Sequence, residues 1–205
     1  MYNDLTKSVF SHGYFKSSRS PFFNSNKNIL KELLKTIPGN TSIEDVFIKI
    51  ITIDFVYSTN LLRTIGKKGI YSLADNISKL NFDKKVSTPD PNLVKEIAST
   101  SGIKNVFSFA SKYCAVHNPT AYSIYDSVVE KLFPKYTKIE HAKKLKNVKV
   151  VTRKKVKDWK KALEYNEFNE AIGTFLTECG FDEIAYPNRR EAFDRFLWEQ
   201  GKANN

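Results

Sequence analysis

The run from Ser42 to Phe55, Ser-Ile-Glu-Asp-Val-Phe-Ile-Lys-Ile-Ile-Thr-Ile-Asp-Phe, constrains the fold more than any other stretch of the chain. Ile43, Val46, Phe47, Ile50, Ile51, Ile53 and Phe55 leave almost no polar side, so the spacing predicts a helix that is apolar nearly all round. Ser42 and Asp45 stand in the manner of a capping box at its start. Such a helix is expected at the centre of a helical core, because only neighbours on several sides can cover it.

The rest of the chain supplies those neighbours. Ile29, Leu30, Leu33, Leu34 and Ile37 form one helix face that Pro38-Gly39 ends, and residues 1–26, with Tyr2, Phe10, Tyr14, Phe15, Phe22 and Phe23 among Ser and Asn, predict a short helix and an irregular arm. Ser58-Thr59-Asn60 breaks the central helix. Leu61, Leu62 and Ile65, then Ile70, Leu73, Ala74, Ile77 and Leu80, predict two shorter helices separated by Gly66-Lys67-Lys68-Gly69. From Asn92 to Asn118 the chain reads as helix, tight turn, helix: Gly102 can take the positive φ of the turn, Asn105 can start the second helix, and Asn118-Pro119 stops it.

A further helix is expected from about Ser123, with Asp126 in its first turn and Pro134 ending it. Trp159, Ala162, Leu163, Phe168, Ala171, Ile172, Phe175 and Leu176 predict one long amphipathic helix that stops near Gly180, and Phe193, Phe196, Leu197 and Trp198 supply a last one. Val148–Thr152 reads as a loop or a short hairpin. The expected class is all-α, with nine or ten helices in a single helical domain over 1–205. Lobes at 27–133 and at 1–26 plus 134–205, with a cleft between them, are the expected subdivision.

Charge narrows the function. The chain carries 33 Lys and Arg against 22 Asp and Glu, a net +11, and between Lys143 and Lys161 ten basic residues face one acid, Asp158. One segment therefore holds most of the excess, an electrostatic footprint that points to a polyanion, nucleic acid first. Two cysteines and His12, His117 and His141 make no metal-ligand spacing, so neither a metal nor a cofactor is expected. With no run of signal-peptide or membrane-spanning length, the expected location is cytoplasmic, without a membrane partner and as a monomer. A Gly-rich phosphate loop, a His-rich metal motif and a nucleophile elbow are all missing from the sequence. What remains is carboxylate and lysine chemistry on a basic helical protein.

Gly102-Ile103-Lys104 opening an apolar helix, followed by Ile124-Tyr125-Asp126 at the next helix start, resembles the helix-hairpin-helix DNA glycosylase superfamily, in particular its 8-oxoguanine glycosylase branch. Phe107-Ser-Phe-Ala-Ser-Lys-Tyr113 with Tyr125-Asp-Ser127, and Arg190-Glu-Ala-Phe-Asp-Arg-Phe-Leu-Trp198, are similar to motifs of small bacterial members of that fold. The resemblance implies a protein that binds duplex DNA, extrudes a damaged or modified base and excises it, in repair or in defence against phage. It implies Asp126 as the central carboxylate and a lysine, Lys112 ahead of Lys104, as the nucleophile of a bifunctional enzyme with lyase activity. A monofunctional enzyme that works through Asp126 and water is the other reading. Asn60 falls where these enzymes fill the gap left by the extruded base. Ser101 and Gly102 would offer backbone N–H groups to a phosphate, Arg153, Lys154 and Lys155 would add backbone contacts, and Tyr57, Tyr113 and Tyr125 would line the base pocket. Thr100 and Ser101 depart from the pattern, standing where the superfamily hairpin carries a second glycine.

Each of these residues also has a plainer reading. An aspartate at a helix start caps backbone N–H groups, aromatics at helical spacing belong to cores, and a basic run is a solvated face. A helix-hairpin-helix module that binds DNA without chemistry, or a helical RNA-binding adaptor, would carry the same charge.

Overall fold

A computed structural model describes residues 21–100, 105–138 and 142–203. The described residues form ten α-helices and one 3-10 turn, with no strand among them, so the chain is all-α. It divides at Asn118–Pro119 into two compact units.

In the first unit, α1 (Pro21–Thr36) starts earlier than the apolar pattern requires, taking in residues expected in the irregular arm. The arm before it lies outside the described residues. Helix α2 (Ile43–Tyr57) begins at Ser42, whose hydroxyl accepts from the Asp45 N–H at 3.3 Å. The expectation that α2 is covered all round does not hold. Val46, Ile50 and Ile53 are buried, but Ile48, Ile51 and Phe55 line an outer face open to solvent. The covered helix is instead α6 (Phe107–His117), where Phe107, Phe109, Ala110, Tyr113, Cys114 and Ala115 are all buried. Periodicity measures how apolar a helix is, and only topology decides which helix its neighbours surround.

Helix α3 (Leu61–Lys79) runs through the segment expected to separate a pair of helices. A single kink at Gly66, with φ 66° and ψ 176°, takes the place of that break. The short helices α4 (Phe82–Ser87) and α5 (Leu93–Ala98) follow; α4 carries too few residues for a readable period. Asn105 starts α6 through its side-chain oxygen, which accepts from the Phe107 N–H at 2.9 Å.

In the second unit, α7 (Ser127–Tyr136) starts later than expected, and Asp126 precedes it as N-cap. Pro134 lies inside α7 rather than ending it. The Thr137 hydroxyl binds the Pro134 carbonyl at 3.2 Å and accepts from the Val151 N–H at 3.0 Å, which gives the final turn partners beyond the helix ladder. After a 3-10 turn at Ala142–Lys144, residues 148–152 form a loop. The long helix expected from Trp159 onward is two: α8 (Arg153–Ala162) and α9 (Tyr165–Glu178), broken at Leu163 with φ 56°. Leucine at a left-handed position costs about 1–2 kcal/mol, and nothing in its side chain announces it.

Helix α10 (Arg189–Ala203) closes the unit. Phe133, Phe175 and Phe193 form an aromatic cluster with centroids 5.6–6.2 Å apart, Phe133 standing edge-on to the other two rings. Beside it the buried Arg190 guanidinium donates to the carbonyls of Thr120 and Asn169, to the Ser123 hydroxyl and to the Asn169 side chain, at 2.7–3.2 Å. A Cβ built on Gly173 would stand 2.7 Å from Arg190 Nη2, so hydrogen is the side chain that leaves room for this clamp.

Candidate functional site

The turn joining α2 to α3 is the most strained backbone in the first unit. Ser58 and Asn60 both take left-handed conformations, φ 50° and 58°, on either side of Thr59. Asp54 holds the turn from below: its Oδ1 accepts from the Leu61 N–H at 3.0 Å and from the Thr59 hydroxyl. An open groove of about 560 Å³ runs along it, lined by Asp54, Phe55, Ser58, Asn60, Leu62 and Arg63. Phe55 is 82% exposed and Leu62 56%. Asn60 therefore stands at a solvent-facing, preformed turn, its amide donating to the Ser58 carbonyl at 3.2 Å.

Lys112 projects from α6 and is only 4% exposed. Its amine donates to the Ser108 hydroxyl one helical turn back at 3.0 Å and lies 5.9 Å from the centre of the Tyr57 ring. Ser108 and Tyr57 thus hold one amine in a place largely closed to water. Tyr113, the next residue, points the other way into the core against Phe82, Phe109 and His117, and its hydroxyl donates to Asn40 Oδ1 at 2.6 Å. Burial pushes that phenol well above its usual range. Ser101, Gly102 and Lys104 lie outside the described residues.

In the second unit, Asp126 Oδ1 accepts from the N–H groups of Val128 and Val129, both at 2.9 Å, so this carboxylate caps α7. Tyr125 is buried; its hydroxyl donates to Glu130 at 3.0 Å, and burial followed by the Glu130 charge pushes its proton affinity up. All ten basic residues between Lys143 and Lys161 are exposed. Several already have local partners. Arg153 meets Glu130 at 3.1 Å, Lys157 reaches the same carboxylate at 3.8 Å, and Lys155 pairs with Glu167 at 3.1 Å while lying 5.4 Å from the Trp159 ring. Lys154 has no ion pair among the described residues. An exposed pair such as Lys155–Glu167 contributes about 0–1 kcal/mol, so a phosphate can displace it cheaply.

No group of three or more His, Cys, Asp or Glu able to hold a metal ion occurs among the described residues. Cys114 and Cys179 are buried free thiols; burial pushes Cys114 well up and Cys179 to about 12, which leaves neither as a thiolate near neutrality. No described helix is long and apolar enough to cross a membrane.

Sequence reasoning passed over Lys49, which is fully buried in α2. The signal was available: Lys49 falls three residues after Val46 and four before Ile53, on the covered face of an otherwise apolar helix.

Residues 13–121 match the model of a protein family designated HI_0787_N and described as an N-terminal domain. The chain belongs to the HI_0787_N family. The HI_0787_N match takes in the whole first unit, with Asn60 and Lys112, and ends before Asp126 and the basic segment. A protein of Haemophilus influenzae, described as uncharacterized, is 33% identical over 138 residues. That alignment spans 63% of this chain and 63% of the relative, so the chain covers less than two thirds of the relative's length. No solved structure matches the chain.

Proposed function

We propose that this protein is a DNA glycosylase, which extrudes one damaged or modified base from a duplex and cleaves its N-glycosidic bond with Lys112 as nucleophile. The observation that carries the reading is Lys112: an amine withdrawn from water, kept on Ser108 and facing the Tyr57 ring. Lysines that form imines with sugars work from sites that exclude bulk solvent. Lys112 would attack C1′ as the base leaves, the base carrying off the bonding electrons, and the opened sugar would then hold the lysine as an imine. Asp126, the N-cap of α7, is proposed as the carboxylate of the alternative, monofunctional reaction that works through water. Asn60 on its rigid turn would occupy the space of the extruded base, an exchange that offsets an unstacking cost of ~ a few kcal/mol. The exposed cations from Lys143 to Lys161 would bind the phosphates.

The test is reductive trapping. With a duplex carrying candidate lesions, borohydride should link wild-type protein to DNA, and Lys112→Gln should abolish the adduct while leaving salt-sensitive binding intact. Active protein that never traps would remove the nucleophile, and base release undiminished in Asp126→Asn would remove the carboxylate. One observation favours a second reading: Asp126 Oδ1 is committed to two backbone N–H groups. A DNA-binding module without chemistry would bind duplex with the same salt dependence and release no base.

A further inference from the structure

Lys49 is 0% exposed, yet no carboxylate pairs with it among the described residues. Its amine donates to two neutral oxygens, the Gly39 carbonyl at 2.6 Å and Asn40 Oδ1 at 3.1 Å. Burying a lysine against neutral partners is costly, and the amine answers by giving up its proton more easily. Burial holds Lys49 below the usual lysine range, with Asp83 and then Asp45 acting in the opposite direction.

The Asn40 carboxamide is engaged on every side. Its Oδ1 also accepts the Tyr113 hydroxyl at 2.6 Å. Its Nδ2 donates to Asp83 Oδ1 at 2.6 Å, and its backbone N–H to Asp83 Oδ2 at 2.9 Å. Phe82 and Tyr113 pack edge to face at 5.1 Å beside this network. A buried amine, a side-chain amide, a carboxylate on the amide nitrogen and a phenol on the amide oxygen therefore meet in one place.

We propose that Lys49 and Asn40 are a self-reacting pair that closes an intramolecular isopeptide bond, with Asp83 as proton carrier and Tyr113 as the donor that stabilises the oxyanion. Once Lys49 has given up its proton, Nζ adds its lone pair to Asn40 Cγ, and the carbonyl electrons move onto Oδ1, where the Tyr113 hydroxyl already points. Nζ, once bonded to Cγ, lies beside Nδ2, where Asp83 takes one proton from it and delivers that proton to Nδ2. The Cγ–Nδ2 bond breaks as the carbonyl reforms, and ammonia leaves. Nothing is oxidised or reduced, Asp83 ends as it began, and no co-reactant enters. Fixed proximity replaces the entropy of bringing amine and amide together, and the dry surroundings disfavour the competing hydrolysis of Asn40. The product ties the Pro38–Asn40 turn covalently to α2.

Intact-mass measurement of the purified full chain decides the matter. The expected mass is lower than that of the sequence by one molecule of ammonia, and digestion should give a branched peptide joining residues 40 and 49. Lys49→Met, Asn40→Ala and Asp83→Asn should each restore the mass of their own sequence. Wild-type protein that is folded by circular dichroism and carries the full sequence mass would overturn the proposal. So would an ammonia loss mapped to other residues, a gain that marks simple hydrolysis of Asn40, or a loss that persists in Asp83→Asn. The wild-type measurement stands even where a variant fails to fold.

Discussion

His117 ends α6 with Nδ1 2.8 Å from the Tyr113 carbonyl, between the rings of Tyr113 and Phe82 at 4.7 and 4.8 Å, while its buried Nε2 has no partner among the described residues. Burial is the main cause that pulls this imidazole down to about 4, against the Tyr113 hydrogen bond, which acts the other way. The folded protein thus refuses a proton that the unfolded chain, with an ordinary histidine, takes up near pH 6.5. Stability attributable to His117 is complete above pH 6.5 and is lost as pH falls towards 4, by up to about 3 kcal/mol. Urea midpoints of wild type and His117→Gln at pH 7 and pH 4.5 should converge on the acid side. At Gly173, substitution by alanine should cost about 1–3 kcal/mol, because the guanidinium it displaces is held by four hydrogen bonds. Thermal unfolding of Gly173→Ala against Gly173→Ala/Arg190→Lys checks it, since the shorter amine should recover some of the loss.

Helix ends set the geometry of the candidate site more than helix faces do. Ser58, a left-handed residue just past α2, has no steric need for its Cβ, so Ser58→Gly should stabilise the protein by about 0.5–1 kcal/mol, read as a raised midpoint in denaturant. In Asn60→Ala the left-handed strain of a Cβ remains without the asparagine's tolerance for it, and a loss of about 1 kcal/mol is expected. These turns also divide what could be read in the sequence from what could not. Apolar spacing at Val46, Ile50 and Ile53 marked α2, and Asn105 and Asn118 marked the ends of α6, because those signals are local. The break at Leu163, the passage of α7 through Pro134 and the open side of α2 depend on contacts from distant segments. Tyr113 and Tyr125 have the composition of a pocket and the positions of a core, and burial alone separates the two.

At the scale of the molecule, the second unit carries the densest basic segment, ten Lys and Arg against one acid between Lys143 and Lys161, whereas the family match covers the first. The charge could be read in full, since ten exposed cations in 19 residues need no fold to be counted. Whether Lys112 and Asp126 serve one reaction could not, as they belong to different units. Replacing Lys144, Lys146, Lys149 and Lys154 by glutamine should weaken duplex binding and flatten the slope of log K against log salt by up to about 0.9 for each phosphate contact removed. Residues 13–121, produced alone, should give a helical spectrum and one cooperative melting transition, because the first unit has its own core around α6. The guanidinium clamp of the second unit bears on descent as well as on stability. A side chain gained at position 173 displaces the guanidinium at 190, so among homologues the two sites should change together more often than independent sites do.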